Sequence, residues 1–296
     1  MSEWLLRALE LFAFRYEFAT FSLLASVVVG LTCGVVGVIL VARGLGLLGD
    51  VVGHATLPGV CVAFMATTTK SAATILGGGL VSGLAAAWAV GRLSRAPRTR
   101  PDAALVIVLS VFFAAGVLLL SIVQRDPSGQ QSGLGTILFG NAAAVDRSQL
   151  GWISGVAAVT IAALVAGRRP LWVASFDPGF ASSVGLNVRV VDAALMVCLG
   201  ATVVVSMHAV GVVLVSAMMV IPPSAALMLT RRPGPAMAIS GGIGVASAVV
   251  GAAASYATSG LSTGPAMVLV AAAVFVLVLL GRRVARVLGP TPVAAR

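Results

Sequence analysis

The chain has 296 residues, of which 59% are hydrophobic and only 9% are charged, and its mean hydropathy is +1.08. Soluble domains contain about 25% charged residues, so this composition excludes an ordinary soluble protein and predicts a polytopic membrane protein. The formal net charge of +10 comes almost wholly from arginines in short loops between apolar segments, a distribution that fits the positive-inside rule and argues against nucleic-acid binding.

Apolar segments along the chain predict an all-α membrane domain of eight or nine transmembrane helices. Residues 1–17 alternate charged and bulky apolar side chains and predict an amphipathic helix at the interface. The apolar, membrane-embedded region is predicted over 18–288, with a cytoplasmic tail over 289–296. The predicted spans are 18–42, 47–66, 71–91, 103–123, 149–167, 190–207, 209–229, 236–256 and 265–281. Within the first span, Gly30-x-x-x-Gly34 predicts a close contact with another helix.

The boundary between the sixth and seventh spans decides the count. His208 alone separates them, so it must mark a tight turn or a helix break. Without a turn there, the chain has eight spans and its N-terminus moves to the other side of the membrane. The later part of the seventh span contains Pro222 and Pro223, which predict a kink.

Two segments between spans predict short helices. Residues 124–148 are polar and glycine-rich and predict a surface loop with a short helix near 138–145. In the segment 168–189, Asp177 is a suitable N-cap, Pro178 suits the first helical position and Gly185 suits the position just after a helix. These residues predict a helix of about two turns.

Basic residues alternate between the two sides of the predicted bundle. The loops at 43, 92–102, 168–189, 230–235 and 282–296 hold 14 of the 19 lysines and arginines. Every second loop is therefore basic, which predicts that these loops are cytoplasmic and that nine spans start from an outside N-terminus.

Asp50 and His54 are the strongest candidates for a functional site. They lie four residues apart in the second predicted span, so their side chains project from one face of the helix. Ionisable residues at membrane depth are costly and usually functional. A carboxylate with a neutral imidazole suits manganese, ferrous iron or zinc, and a shell of only two ligands suits an ion that must leave again. Gly49, Gly53 and Pro58 weaken regular helix and predict free backbone carbonyls here.

Three further residues are weaker candidates. Cys61 falls near the same face as His54, but a lone buried cysteine usually behaves as a small apolar residue. His208 lies at a predicted outer boundary, where a polar residue needs no special role. Asp192 follows Arg189 by three residues, so a local ion pair at a helix start is expected.

The chain offers no energy source of its own. It contains no phosphate-binding loop and no nucleophile–histidine–carboxylate arrangement, so we expect a transporter subunit rather than an enzyme. Two alternatives remain open at this point: a self-sufficient secondary transporter or channel driven by an ion gradient, and an intramembrane metalloenzyme.

Four patches in the chain are similar to the membrane permease subunits of bacterial ATP-binding-cassette importers for manganese, zinc and iron. They are 43–59 (RGLGLLGDVVGHATLPG), 138–145 (LFGNAAAV), 176–187 (FDPGFASSVGLN) and 209–222 (AVGVVLVSAMMVIP). The resemblance covers about residues 3–284. The alanine-rich second patch, with Asn141, looks more like the manganese and iron branch, and Cys61 stands where the family has a small apolar residue.

The resemblance implies a type II importer fold in the bacterial cell membrane, a homodimer, cytoplasmic ATP-binding subunits and an extracytoplasmic metal-binding protein that delivers the ion. It implies that Asp50 and His54 contact Mn²⁺, Zn²⁺ or Fe²⁺ as transported substrate, with manganese expected, and that no cofactor is permanently bound. It also implies a coupling helix that docks on the ATPase and comprises Asp177, Pro178, Gly179, Phe180, Ala181, Ser182, Ser183, Val184 and Gly185.

Overall fold

The computed structural model describes residues 17–67, 72–94, 96, 99–125, 147–258 and 262–288. Within these ranges the chain forms eleven α-helices and no β-strand. They are α1 (Glu17–Ala42), α2 (Leu48–Thr67), α3 (Ala72–Leu93), α4 (Pro101–Val123), α5 (Arg147–Ala166), α6 (Arg168–Phe176), α7 (Pro178–Ser183), α8 (Val188–Val210), α9 (Val212–Leu229), α10 (Pro233–Ala257) and α11 (Thr263–Leu288). The amphipathic helix predicted over 1–17, the helix near 138–145 and the tail at 289–296 fall outside the described residues, apart from Glu17.

The predicted all-helical membrane architecture is confirmed. In the described ranges, eight helices are long and apolar enough to cross a membrane, namely α1–α5, α8, α10 and α11. The apolar part of α9, Leu214–Leu229, is shorter than a full span. Helix α4 begins at Pro101, where the absent N–H costs no helical hydrogen bond.

The break between α8 and α9 lies at Gly211. The sequence analysis placed it at His208, three residues earlier. Helix α8 continues through His208 to Val210, and Gly211 has a φ of +94°, a left-handed conformation that glycine adopts without strain. Helix α9 starts at the next residue. Both Val203 of α8 and Val212 of α9 lie beside Gly53 of α2, so the chain reverses direction at Gly211.

Helix α9 then runs back toward the end of the bundle that contains Arg43. Ser216 and Met219 lie beside Gly49, and Val220 lies beside Gly46. The prolines Pro222 and Pro223 are both inside α9. After this reversal α9 runs antiparallel to α8.

Helix α1 packs at the centre of the bundle against α10 through small residues. A Cβ atom on Gly30 would lie 2.5 Å from the carbonyl oxygen of Gly244, and one on Gly34 would lie 2.7 Å from that of Ser240. The hydroxyl of Ser240 donates a hydrogen bond of 2.7 Å to the carbonyl of Gly34. The close contact predicted from the Gly30-x-x-x-Gly34 pattern is thus confirmed.

The basic end of the bundle is held together by Arg43, in the connection between α1 and α2. Its Nε donates to the hydroxyl of Ser175 in α6 at 2.7 Å, and its Nη1 lies 2.7 Å from the carboxylate of Asp192 in α8. A contact of Asp192 so distant in sequence was not predicted. It joins three elements at the end where the basic loops meet.

Candidate functional site

Asp50 and His54 lie on one face of α2, within its first two turns. The Nε2 atom of His54 is 3.6 Å from Oδ1 of Asp50, and the side chains of His54 and Asp50 are 22% and 32% exposed. An acidic residue in the first turn is stabilised by the helix dipole, which accounts for part of the tolerance for Asp50 here. The remaining exposure leaves both side chains accessible to a ligand.

The distance between the two side chains fits a shared ion. Two ligand bonds of about 2.1 Å that meet at about 118° span 3.6 Å. In the described part of the chain, no group of three His, Cys, Asp or Glu residues could hold a metal ion. The described part of one copy therefore offers two candidate side-chain ligands at this position and no third.

The imidazole of His54 packs against α4 and retains an unused nitrogen. Its ring meets Phe113 edge-on, with 5.1 Å between ring centroids. The Nδ1 atom is buried and has no hydrogen-bond partner in the described structure. Sequence patterns did not reveal Phe113, because an aromatic residue in an apolar span has no distinguishing signal.

The glycines next to the pair allow α2 to approach α9 closely. A Cβ atom on Gly53 would lie 2.5 Å from Cγ1 of Val212, and one on Gly49 would lie 3.3 Å from Sδ of Met219. Since Gly49 and Gly53 immediately precede Asp50 and His54, α9 closely approaches the backbone of α2 beside the pair.

Gly49 and Gly53 do not break the helix, because α2 is continuous from Leu48 to Thr67. The carbonyl of Gly53 accepts a hydrogen bond of 2.6 Å from the hydroxyl of Thr56. Pro58, however, has no N–H to donate to the carbonyl of His54, four residues earlier. One backbone oxygen beside the imidazole thus lacks its usual helical donor.

Of the two weaker candidates, the structure describes the side chain of Cys61. Cys61 is fully buried in an apolar cluster that includes Phe64, Ile75 and Met207. His208 lies in the last turn of α8, and its side chain is outside the described part of the structure.

The short helix predicted at Asp177–Gly185 is confirmed as α7. Oδ1 of Asp177 accepts a hydrogen bond of 2.8 Å from the backbone N–H of Phe180, Pro178 occupies the first turn, and Gly185 has a φ of +85°. Phe180 and Val184 are exposed, while Ala181 is fully buried. An exposed apolar surface on a helix between two basic segments is typical of a docking site for another protein.

Comparisons with known proteins agree with this architecture. The model of the ABC 3 transport family matches residues 15–282. The chain is 35% identical to the "Manganese transport system membrane protein MntC" of Listeria monocytogenes, over 90% of this chain and 91% of that protein. It is 35% identical to the protein of the same name from Bacillus subtilis, over 86% of this chain, and spans 58% of that relative's length.

A solved structure shares the fold over nearly the whole chain. It is described as "PsaBC from Streptococcus pneumoniae in complex with Fab", with a TM-score of 0.80 and 28% sequence identity. The similarity covers 94% of this chain and 98% of that one.

Proposed function

The chain belongs to the ABC 3 transport family, and we propose that it carries Mn²⁺ inward, with Zn²⁺ and Fe²⁺ as competing substrates. It is a multi-pass protein of the bacterial cell membrane and the permease subunit of an ABC metal transporter. The choice of manganese is supported by the names of the Listeria and Bacillus relatives and by the carboxylate–imidazole ligand pair.

The observation that carries the proposal is the Asp50–His54 pair. Ionisable side chains within a transmembrane helix are costly and usually functional, so two of them on one face near the start of α2 call for a compensating interaction. Their separation of 3.6 Å suits joint coordination of one cation. Two ligands bind an ion weakly enough for release, as a transport site requires.

A second copy of the chain would complete the coordination shell. The side chains of His54 and Asp50 are 22% and 32% exposed in one copy, so a second copy can reach both of them. If two copies meet at this face, two carboxylates and two imidazoles surround one ion. The His54 carbonyl or water would fill the remaining positions. A site shared by two copies in a homodimer would bind one metal ion per two chains.

Exposed residues of α7 support contact with a cytoplasmic ATP-binding subunit. In the proposed cycle, a binding protein delivers the ion to the outer face, and closure of the ATP-binding subunits pushes on Asp177–Gly185. Helix α7 is followed directly by α8, so its displacement reorients the helices beside α2.

Uptake by the complete complex tests the site. Proteoliposomes containing the permease, its ATPase and its binding protein should accumulate radioactive manganese only with ATP. Asp50→Ala and His54→Ala should each abolish accumulation while the ATPase still copurifies. Unchanged uptake in either variant would refute the assignment of the site, and uptake without the ATPase would favour the secondary transporter.

Competition and stoichiometry test the remaining details. Excess Zn²⁺ or Fe²⁺ should lower manganese uptake, and stronger uptake of zinc than of manganese would overturn the proposed preference. Metal analysis of the complex in the absence of ATP should give one Mn²⁺ per two permease chains. A value of one per chain would contradict a site shared between two copies.

A further inference from the structure

A second polar site lies at the basic end of the bundle, away from the metal pair. A cavity of about 500 Å³ opens between the C-terminal half of α3, the α1–α2 connection and the N-terminal half of α8. Its described lining contains three arginines, Arg43, Arg92 and Arg189, and a single acid, Asp192. We call it the basic cavity, and its lining carries a formal charge of +2.

Among the residues that the structure describes, two hydrogen-bond donors at the basic cavity are buried and have no partner. The side chain of Arg43 is only 10% exposed; its Nε and Nη1 atoms bind Ser175 and Asp192, but Nη2 has no partner in the described structure. The hydroxyl of Ser94 is likewise buried and unpaired. An unsatisfied buried polar group costs about 1–3 kcal/mol, and more if it is charged, so these donors favour a bound acceptor.

The other walls of the basic cavity are apolar and face outward. Trp88 is 69% exposed and Val197 is 51% exposed, and both lie on predicted membrane-spanning helices. These exposed apolar side chains give the basic cavity an apolar opening on the side of the bundle. The guanidinium of Arg92 lies 5.9 Å from the centre of the Trp88 ring, which places a cation next to an aromatic side chain.

We propose that the basic cavity binds an anionic phospholipid of the cytoplasmic leaflet. The phosphate accepts hydrogen bonds from Nη2 of Arg43 and from Ser94, Arg92 and Arg189 neutralise its charge, and an acyl chain lies along Trp88 and Val197. Arginine's planar donors match phosphate oxygens, and basic pockets between transmembrane helices at the cytoplasmic side are suited to such headgroups. This site goes beyond the proposed metal transport and shares no residue with it.

Lipid binding to the intact permease–ATPase complex tests the proposal. The complex is placed in nanodiscs of phosphatidylcholine with increasing phosphatidylglycerol, and bound lipid is counted by native mass spectrometry after release. The double variant Arg92→Gln, Arg189→Gln should lose at least tenfold in apparent affinity for phosphatidylglycerol, given about 1 kcal/mol per basic residue near the surface. The matched control is Arg231→Gln, Arg232→Gln, which removes two exposed arginines outside the cavity and should stay within about twofold of the original chain.

Two further measurements distinguish a lipid phosphate from a free phosphate and control for loss of folding. Inorganic phosphate and glycerophosphoglycerol should not displace the bound lipid; displacement by either would show a site for a free anion and overturn the assignment to lipid. Ser94→Ala should weaken phosphatidylglycerol binding without lowering the melting temperature. Equal retention in both double variants, or equal binding of phosphatidylcholine, would refute the proposal whatever the outcome of metal uptake.

Discussion

The carboxylate of Asp192 lies 2.7 Å from Nη1 of Arg43, although 149 positions separate the two residues in the sequence. The contact ties the connection after α1 to the start of α8. Asp192 is thus more than a partner for a neighbour in its own helix, because it balances a guanidinium that is nine-tenths buried.

Asp192→Ala should therefore destabilise the chain. Removing one partner of a buried ion pair costs about 3–5 kcal/mol, and the 25% exposure of Asp192 reduces our expectation to about 2 kcal/mol. Thermal unfolding of the purified permease measures the loss. The control Asp102→Ala removes an exposed acid at the same end and should cost less than about 1 kcal/mol. Equal losses of stability in the two variants would show that the contact between Asp192 and Arg43 does not stabilise the fold.

Adjacent glycines in α3 provide a matched test of its packing against α2. A Cβ atom on Gly78 would lie 2.5 Å from the carbonyl oxygen of Gly59, whereas one on Gly77 would meet nothing within 4 Å. Gly78→Ala should destabilise the chain by about 2 kcal/mol through overpacking, and Gly77→Ala should stabilise it by up to about 1 kcal/mol through helix propensity. Similar melting temperatures for both variants would contradict the close approach of the two helices.

The N-cap of α7 can be removed without changing its exposed apolar residues. Asp177→Ala eliminates the acceptor for the N–H of Phe180 and should cost about 1 kcal/mol of local helix stability. We expect less ATPase to copurify with this variant. Asp177→Ser keeps a capping oxygen and should retain the ATPase. If both variants bind the ATPase as well as the original chain does, α7 is not the docking element.

Cys61→Ala separates a role in packing from a role in metal binding. Because Cys61 is fully buried among apolar side chains, the variant should lose about 1 kcal/mol of stability and leave manganese uptake and its competition by zinc unchanged. A changed order of metal preference would instead place Cys61 in the path of the ion.

Local signals in the sequence were sufficient for the elements whose ends are fixed by single residues. Asp177, Pro178 and Gly185 each act through their own backbone or a neighbour three residues away, so the limits of α7 could be predicted. The end of α8 could not be predicted in this way. The polar His208 suggested a boundary, but the last turn of a helix accommodates it, and the left-handed Gly211 ends the helix three residues later.

The candidate site was predictable in its spacing but not in its surroundings. Helical periodicity alone places Asp50 and His54 on one face. The contact of His54 with Phe113 of α4, and the approach of α9 to Gly49 and Gly53, depend on tertiary packing that the sequence pattern does not reveal. The burial of Arg43 and Ser94 likewise depends on tertiary packing. Neither residue type, in a short connection between helices, indicates burial from the sequence alone.

The chain reverses at the single residue Gly211, so no flexible loop separates α8 from α9. Only Gly211 lies between the two helices. Neither helix can therefore slide along the other without unwinding, and the backbone at Gly211 is the position about which they can rotate. Helix α7 leads into the first end of this hairpin, and the second arm lies against Gly49 and Gly53. The α8–α9 hairpin therefore connects α7 to the helix that carries Asp50 and His54.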